Sequence, residues 1–240
     1  MNKLFTIIIL SAVISCGHKR EPANVSAPGS EKTGKTKVLE TGSAALQDKT
    51  PIKQLEIYLD GFHFANGNMA MQMEAHHYCM KLNEDVTQCV MYDGNTKDAK
   101  IMGVEYIISE RLFKKLPENE KKLWHSHVYE VKSGTLIAPG LPDVAEKELM
   151  EEIVSTYGKT IHTWHTNMDH ELPLGIPMIM MGFTKDGQLA DSILKRRDSI
   201  FNVSSAEKRE QRKSIPDPKI LPGANAWEKN EVFQLELKRK

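Results

Sequence analysis

Apolar and polar positions alternate along residues 71–82 and 87–92, and the polar turn NEDV between them makes the pair a predicted β-hairpin. A three-residue loop over 83–85 sets Cys79 opposite Cys89 and His77 opposite Met91. A two-residue loop slips the register by one and exchanges the faces. In the first register His77, Cys79 and Cys89 share one face, and His76 and Tyr78 share the other. A disulfide, a metal-ligating pair and two buried thiols all fit such facing cysteines. In an oxidising compartment the disulfide is the first expectation.

The same reading extends along the chain. Residues 99–108 (AKIMGVEYII) form an apolar strand pattern; Ser109 then suits an N-cap, and Pro117 opens a second short helix with acidic residues in its first turn. WHSHVYEV, residues 124–131, is predicted as a strand with His125, His127 and Tyr129 on one side. Residues 143–157 carry a helical apolar stripe with Gly158 as stop signal, 160–166 and 177–184 read as strands, and 189–201 as an amphipathic helix followed by a cap at Ser204 or Ser205. Upstream, Ile52, Leu55 and Leu59 have helical spacing, which predicts a helix over 51–59. Past residue 214, prolines at 216, 218 and 222 predict an extended tail, whose end alternates Phe233, Leu235 and Leu237 as a late strand would. Helices and strands mix without regular βαβ alternation. The expected fold is α+β, a single domain with one mostly antiparallel sheet and flanking helices.

Length and charge narrow this picture. At 240 residues the chain suits one core, and its 32 basic and 32 acidic residues are interspersed and cancel, so no electrostatic case exists for a nucleic-acid partner. The amino terminus stands apart. Residues 1–15 read as a signal peptide, with Lys3 before an apolar run too short to span a membrane. The run ends in Val-Ile-Ser-Cys, which resembles a bacterial lipobox and makes Cys16 the expected lipidation site. Gly17 after the cysteine resembles the sorting signal for an outer-membrane destination in a bacterial cell envelope. Residues 16–50, polar and poor in large apolar side chains, are expected to be a flexible tether, 51–215 the folded domain and 216–240 a C-terminal extension. Within the tether, GSEKTGKT satisfies the P-loop pattern, but no buried strand pattern precedes it, so no nucleotide is expected.

The candidate chemistry lies in MEAHHYC (73–79) and WHSHVYEVKSG (124–134), which hold four of the nine histidines. His125 and His127, as an H-x-H pair, with His76 or His77 as a third imidazole, have the residue types of a divalent metal site such as zinc. Glu74 and Glu105 are candidate carboxylate ligands, and with Glu130 they are the candidate acid–base groups for hydrolysis. His63, between Phe62 and Phe64, reads instead as a packed side chain.

Eight collinear segments, DGFHF, EAHHYC, LNEDVTQCVMYD, GVEYIISERLF, WHSHVYEVKSG, TYGKT, LPLGIP and FTKDGQL, make residues 55 to about 216 resemble the oil body-associated protein family. The resemblance implies affinity for lipid surfaces and supplies no catalytic residues. The family's plant members are intracellular and carry no lipobox, so their location does not transfer with the likeness. Two expectations follow. One is a lipid-anchored envelope module, held at a membrane through Cys16 and binding lipid or an envelope protein; the other is a histidine-rich metal domain, structural or, with its carboxylates as acid–base groups, hydrolytic.

Overall fold

The computed structural model describes residues 19–23, 26–165 and 174–239. Two helices come first, α1 (Gly34–Leu46) and α2 (Thr50–Lys53). Four strands follow: β1 (Ile57–Ala65), β2 (Asn68–Asn83), β3 (Val86–Tyr92) and β4 (Ile101–Ile108). Short helices α3 (Glu110–Phe113) and α4 (Glu118–Lys121) lead to β5 (His125–Ser126) and α5 (Val128–Ser133). Helix α6 (Asp143–Ile153), strands β6 (Tyr157–His162) and β7 (Met178–Met181), and helices α7 (Asp191–Phe201) and α8 (Ser205–Gln211) complete the domain.

All the strand pairings are antiparallel, in the order β4-β3-β2-β1-β7-β6, and β4 also pairs with β6. That last pairing closes six strands into a barrel and removes the sheet's edges. Two-residue β5 extends the wall by pairing with β6 at Gly158 and Tyr157. The chain is therefore α+β and mostly antiparallel, as its pattern predicts, with a closure the pattern does not carry.

The ladder fixes what points inward, because directly opposed residues share a face. Cys79, Cys89, Glu105, Thr160, Met180 and Ala65 oppose one another in turn around the barrel. His77, Met91, Gly103 and His162 do the same one layer away. Each side chain of both rings is buried. One end of the interior is filled by Ala65, Met73, Ala75, Met91, Met102 and Met180. At the other, Leu59, Cys79, Cys89 and Ile107 pack against Val131, Leu136 and helix α6. A polar layer lies between these apolar plugs.

The hairpin register agrees with the first of the two alternatives, Cys79 against Cys89 and His77 against Met91, and the two cysteines are bridged. Ten positions separate them, so loop closure alone predicts a stabilisation of about 3 kcal/mol. Reduction, or a Cys79→Ala, Cys89→Ala variant, should therefore lower the melting temperature by about 6–12 °C; an unchanged value would show that the bridge constrains nothing.

Ser109 caps α3 by accepting from the Leu112 amide, and Pro117 stands before α4, as expected. Elsewhere the fold departs from the pattern. Residues 57–59 begin strand β1 and are not the end of a helix, because Leu59 is needed inside the barrel. Only His125 and Ser126 of WHSHVYEV are extended; His127 already precedes α5, which turns Tyr129 away to bond Asp186. Helix α6 stops at Ile153, and Gly158 lies in β6. The end of the chain forms no strand among the described residues. It lies against the barrel instead: the Gln234 amide serves both backbone groups of Ile179 and accepts no regular ladder, Trp227 packs on Phe64, and Asn225 Oδ1 accepts from the Ser126 amide.

The segment expected to be a flexible tether is ordered in two places. Helix α1 starts at Gly34 with Thr33 as its cap, inside GSEKTGKT; no strand precedes it and all but two of its residues are exposed. Glu21 is buried and exchanges backbone and side-chain hydrogen bonds with Asn95. Cys16 and the apolar leader lie outside the described residues.

Candidate metal centre

Seven polar side chains meet in the middle layer of the barrel: His63 from β1, His77 from β2, Glu105 from β4, His125 from β5, His127 and Glu130 at α5, and His162 from β6. All are buried, and Thr160 donates to Glu105 Oε1 at 2.8 Å. His77 Nε2 lies 3.2 Å from Glu105 Oε2. His125 Nε2 and His127 Nε2 lie 3.5 and 3.6 Å from Glu105 Oε1, and Glu130 Oε2 is 3.9 Å from His125 Nε2. On the His77 side a void of about 10 Å³, the size of a water or an ion, opens among His63, His77, Glu105, His127 and Glu130 and is closed by Leu59, Ile107, Leu136 and Ile153.

Hydrogen bonds on the far side of two rings fix their tautomers. His77 Nδ1 lies 2.9 Å from the Ala75 carbonyl oxygen, which only accepts, so Nδ1 carries hydrogen. Thr156 Oγ1 donates to the Ile153 carbonyl and so accepts from His127 Nδ1 at 2.8 Å. Both Nε2 atoms then face one carboxylate. In a dry interior a bare Nε2 lone pair and a carboxylate repel, and a cation between them, a proton or a metal ion, turns the contact favourable. The outer hydrogen bonds are those that orient metal-ligating imidazoles.

The remaining groups have the same shortage of partners. His63 Nδ1, both nitrogens of His125, His162 Nε2 and Glu130 Oε2 are buried without a hydrogen-bond partner among the described residues. Burial pushes the imidazoles of His125 and His162 down to about 3 and that of His63 well below its usual range, with neighbouring imidazoles adding to the effect. Burial, and then the charge of Glu105, hold Glu130 protonated. Burial opposes charge on Glu105 too, but the imidazoles of His127 and His77 beside it hold its carboxyl well below the usual range, an effect that needs a proton or another cation at the Nε2–carboxylate contacts. Imidazole nitrogens gathered around one carboxylate are a metal-ligand set.

Spacing agrees. A tetrahedral zinc with bonds of about 2.0–2.1 Å needs ligand atoms about 3.3 Å apart, close to the separations around Glu105. Three trios, His63–His77–Glu105, Glu105–His125–His127 and His63–His125–Glu130, each place their ligand atoms within 4.8 Å of one another. Glycine makes the room: a Cβ on Gly182 would stand 2.9 Å from His125 Cδ2, and one on Gly158 would stand 2.9 Å from His125 Nε2 and collide with Glu105.

Of the expected site residues, His77, His125, His127, Glu105 and Glu130 come together. His76 and Glu74 do not. Adjacent strand residues project to opposite faces, so EAHHYC sends His77 inward and His76 outward. His76 lies outside the wall, with Nδ1 2.8 Å from Tyr58 Oη and 3.0 Å from Asp60 Oδ2. Glu74 meets Arg196 at 3.2 Å, near Glu21. His63 and His162 were not expected here. Parity along β1 is the signal for His63: Leu59, Gly61, His63 and Ala65 are the inward set, and Phe62 and Phe64 pack outside.

The outer cluster has its own pH signature. Burial, then the charge of Asp60 and a hydrogen bond shared with Glu21, push Glu74 up to about 11, from a model-compound value of 4.5. The folded state therefore holds a proton that the unfolded chain releases, and stability falls as pH rises through that window. A Glu74→Gln variant should gain melting temperature relative to the parent between pH 5 and pH 9, with no gain below about pH 4; a constant difference across this range would contradict the assignment.

The description of a family of proteins of unknown function, DUF1264, matches residues 49–216. The chain is 41% identical to oil body-associated protein 1B of Arabidopsis thaliana over 224 residues, 92% of each chain. It is 44% identical to oil body-associated protein 1A of Zea mays over 219 residues, 89% of this chain and 92% of the relative. Arabidopsis oil body-associated protein 2C is 37% identical over 214 residues, 88% and 90% of the two chains. No solved structure matches. On these alignments, which span nearly the whole length of each partner, the chain belongs to the oil body-associated protein family, whose biochemical function is unknown.

Proposed function

We propose that this chain is a metal-binding barrel carried at a lipid surface. The metal half rests on one observation: the Nε2 atoms of His77 and His127, each ring fixed by a hydrogen bond behind it, converge on the Glu105 carboxylate in a buried layer. Zinc, manganese and ferrous iron all accept such imidazole–carboxylate sets. As the barrel stands, the void takes an ion and not a substrate. The geometry therefore favours a held metal over a hydrolytic site; the hydrolase reading needs an opening of the barrel beside Glu130. The test is metal content by mass spectrometry on the full chain, purified without chelator or nickel resin. Near-stoichiometric metal, lost in a His77→Ala, His127→Ala variant that still folds, is the expected result. A folded, metal-free parent that takes up none on incubation with zinc, manganese or ferrous iron would refute the metal reading.

The lipid half is supported by the relatives, which are named for oil bodies, and by the start of the chain. Cys16 lies five positions before the docked Glu21, a reach of at most about 18 Å. A lipidated Cys16 would hold the barrel close to a bilayer, most simply the outer membrane of a bacterial envelope. The groove beside Glu21 is lined by Lys19, Arg20 and Lys97 around Tyr58, Tyr78 and Phe201, charge and aromatic character suited to an anionic lipid interface. In a bacterium that processes lipoproteins, the parent should sediment with membranes and Cys16→Ser should become soluble. A soluble parent would remove the anchor from the account.

A further inference from the structure

We infer that the barrel centre takes two metal ions bridged by Glu105. This rests on the metal reading above and adds to it the number of ions and the role of one carboxylate.

The two oxygens of Glu105 face different imidazoles. Oε2 faces His77 Nε2 at 3.2 Å, and Oε1 faces His125 Nε2 and His127 Nε2 at 3.5 and 3.6 Å. His63 joins His77 and Glu105 in one trio of ligand atoms; His125 and His127 join Glu105 in another. Each trio is two imidazoles and one carboxylate oxygen, a set that holds an ion and leaves positions open. A carboxylate that offers one oxygen to each of two such sets is a bridge, and ions so bridged lie about 3.5–4 Å apart.

Donor number points the same way. Five imidazoles and two carboxylates line this layer, more than a four-coordinate ion can use. With one ion at the His125–His127 side, His77 Nε2 would still stand 3.2 Å from Oε2 with no metal between them. With one ion at the His77 side, His125 Nε2, fully buried and unpartnered, would stay so. Two ions give each of these Nε2 atoms a metal. Glu130 Oε2, also unpartnered and 3.9 Å from His125 Nε2, is placed to complete the second ion's shell. Thr160 holds the bridge in place from Oε1.

The experiment is a titration of the chelator-stripped full chain with manganese(II), then with zinc(II), read by native mass spectrometry and by metal analysis after desalting. Two ions per chain are expected, and in the manganese form a spin-coupled electron paramagnetic resonance signal. His77→Ala and His127→Ala, whose substitutions lie in different trios, should each retain one ion and lose the coupling. Glu105→Gln, of nearly unchanged volume, should lose the coupled signal while circular dichroism shows the barrel intact. One ion per chain in the parent, with no coupling, would overturn the two-metal inference and leave the metal reading standing. No ion at all would overturn both.

Discussion

Stripping metal from the folded protein should lower its melting temperature by about 8–16 °C. An ion that binds the native state alone stabilises it by RT ln(1 + [L]/Kd), or about 4 kcal/mol at a thousandfold excess over Kd. For a chain of this size each kcal/mol is worth about 2–4 °C. The stripped barrel also regains the contacts that the ion relieves, lone pairs of His77 and His127 against Glu105 and several buried atoms without partners. The check is a thermal scan of metal-loaded and chelator-stripped protein, followed by re-addition of zinc or manganese. Recovery on re-addition confirms a reversible site. Superimposable curves would mean that the polar layer is stable without a cation.

The second large effect lies outside the barrel wall. Arg197 is fully buried; its Nη1 donates to Asp60 Oδ1 at 3.0 Å and to the Thr135 carbonyl at 2.8 Å, its Nη2 donates to Ser205 Oγ at 2.9 Å, and its guanidinium lies 4.9 Å from the Phe62 ring centroid. One side chain thus ties β1 to the loop after α5 and to the start of α8. Burial works against charge on Asp60, and His76 and Arg197 together keep its carboxyl ionised. Arg197→Met removes one of those two partners and leaves a buried carboxylate short of a cation, a change that costs about 3–5 kcal/mol. The melting temperature should fall by about 6–20 °C. Adding Asp60→Asn should recover part of the loss, since the second change removes the stranded charge. A double variant no better than Arg197→Met would assign the loss to packing on Phe62 instead.

Much of the barrel was legible in local pattern. Alternation and a polar turn carried β2, β3 and the opposition of Cys79 to Cys89, and Ser109 and Pro117 marked the helices that they cap or open. What local pattern does not carry is closure. The pairing of β4 with β6 joins residues 49 to 59 positions apart, and no turn or period announces it. The same gap hid part of the site. His63 sits in a segment with no other histidine, His162 is paired in sequence only with His165 on the opposite face of the predicted strand, and the closed barrel brings His63 beside His77, His125 and His162. Residues 51–59 misled for a different reason: three apolar residues at helical spacing satisfied one period by chance, while the barrel required Leu59 in an extended strand. His76 looked equal to His77 in sequence, and the two-residue period of a strand separates them completely.

The account stands on cations between Glu105 and its imidazoles. The most direct measurement is an anomalous-difference map from crystals of metal-loaded protein, recorded above and below the absorption edge of the added metal. The account predicts density within the barrel, one peak between Glu105 Oε2 and His77 and another among Glu105 Oε1, His125 and His127. An interior without anomalous density, with the metal confined to surface carboxylates, would contradict it and leave the histidine layer as a feature of packing alone.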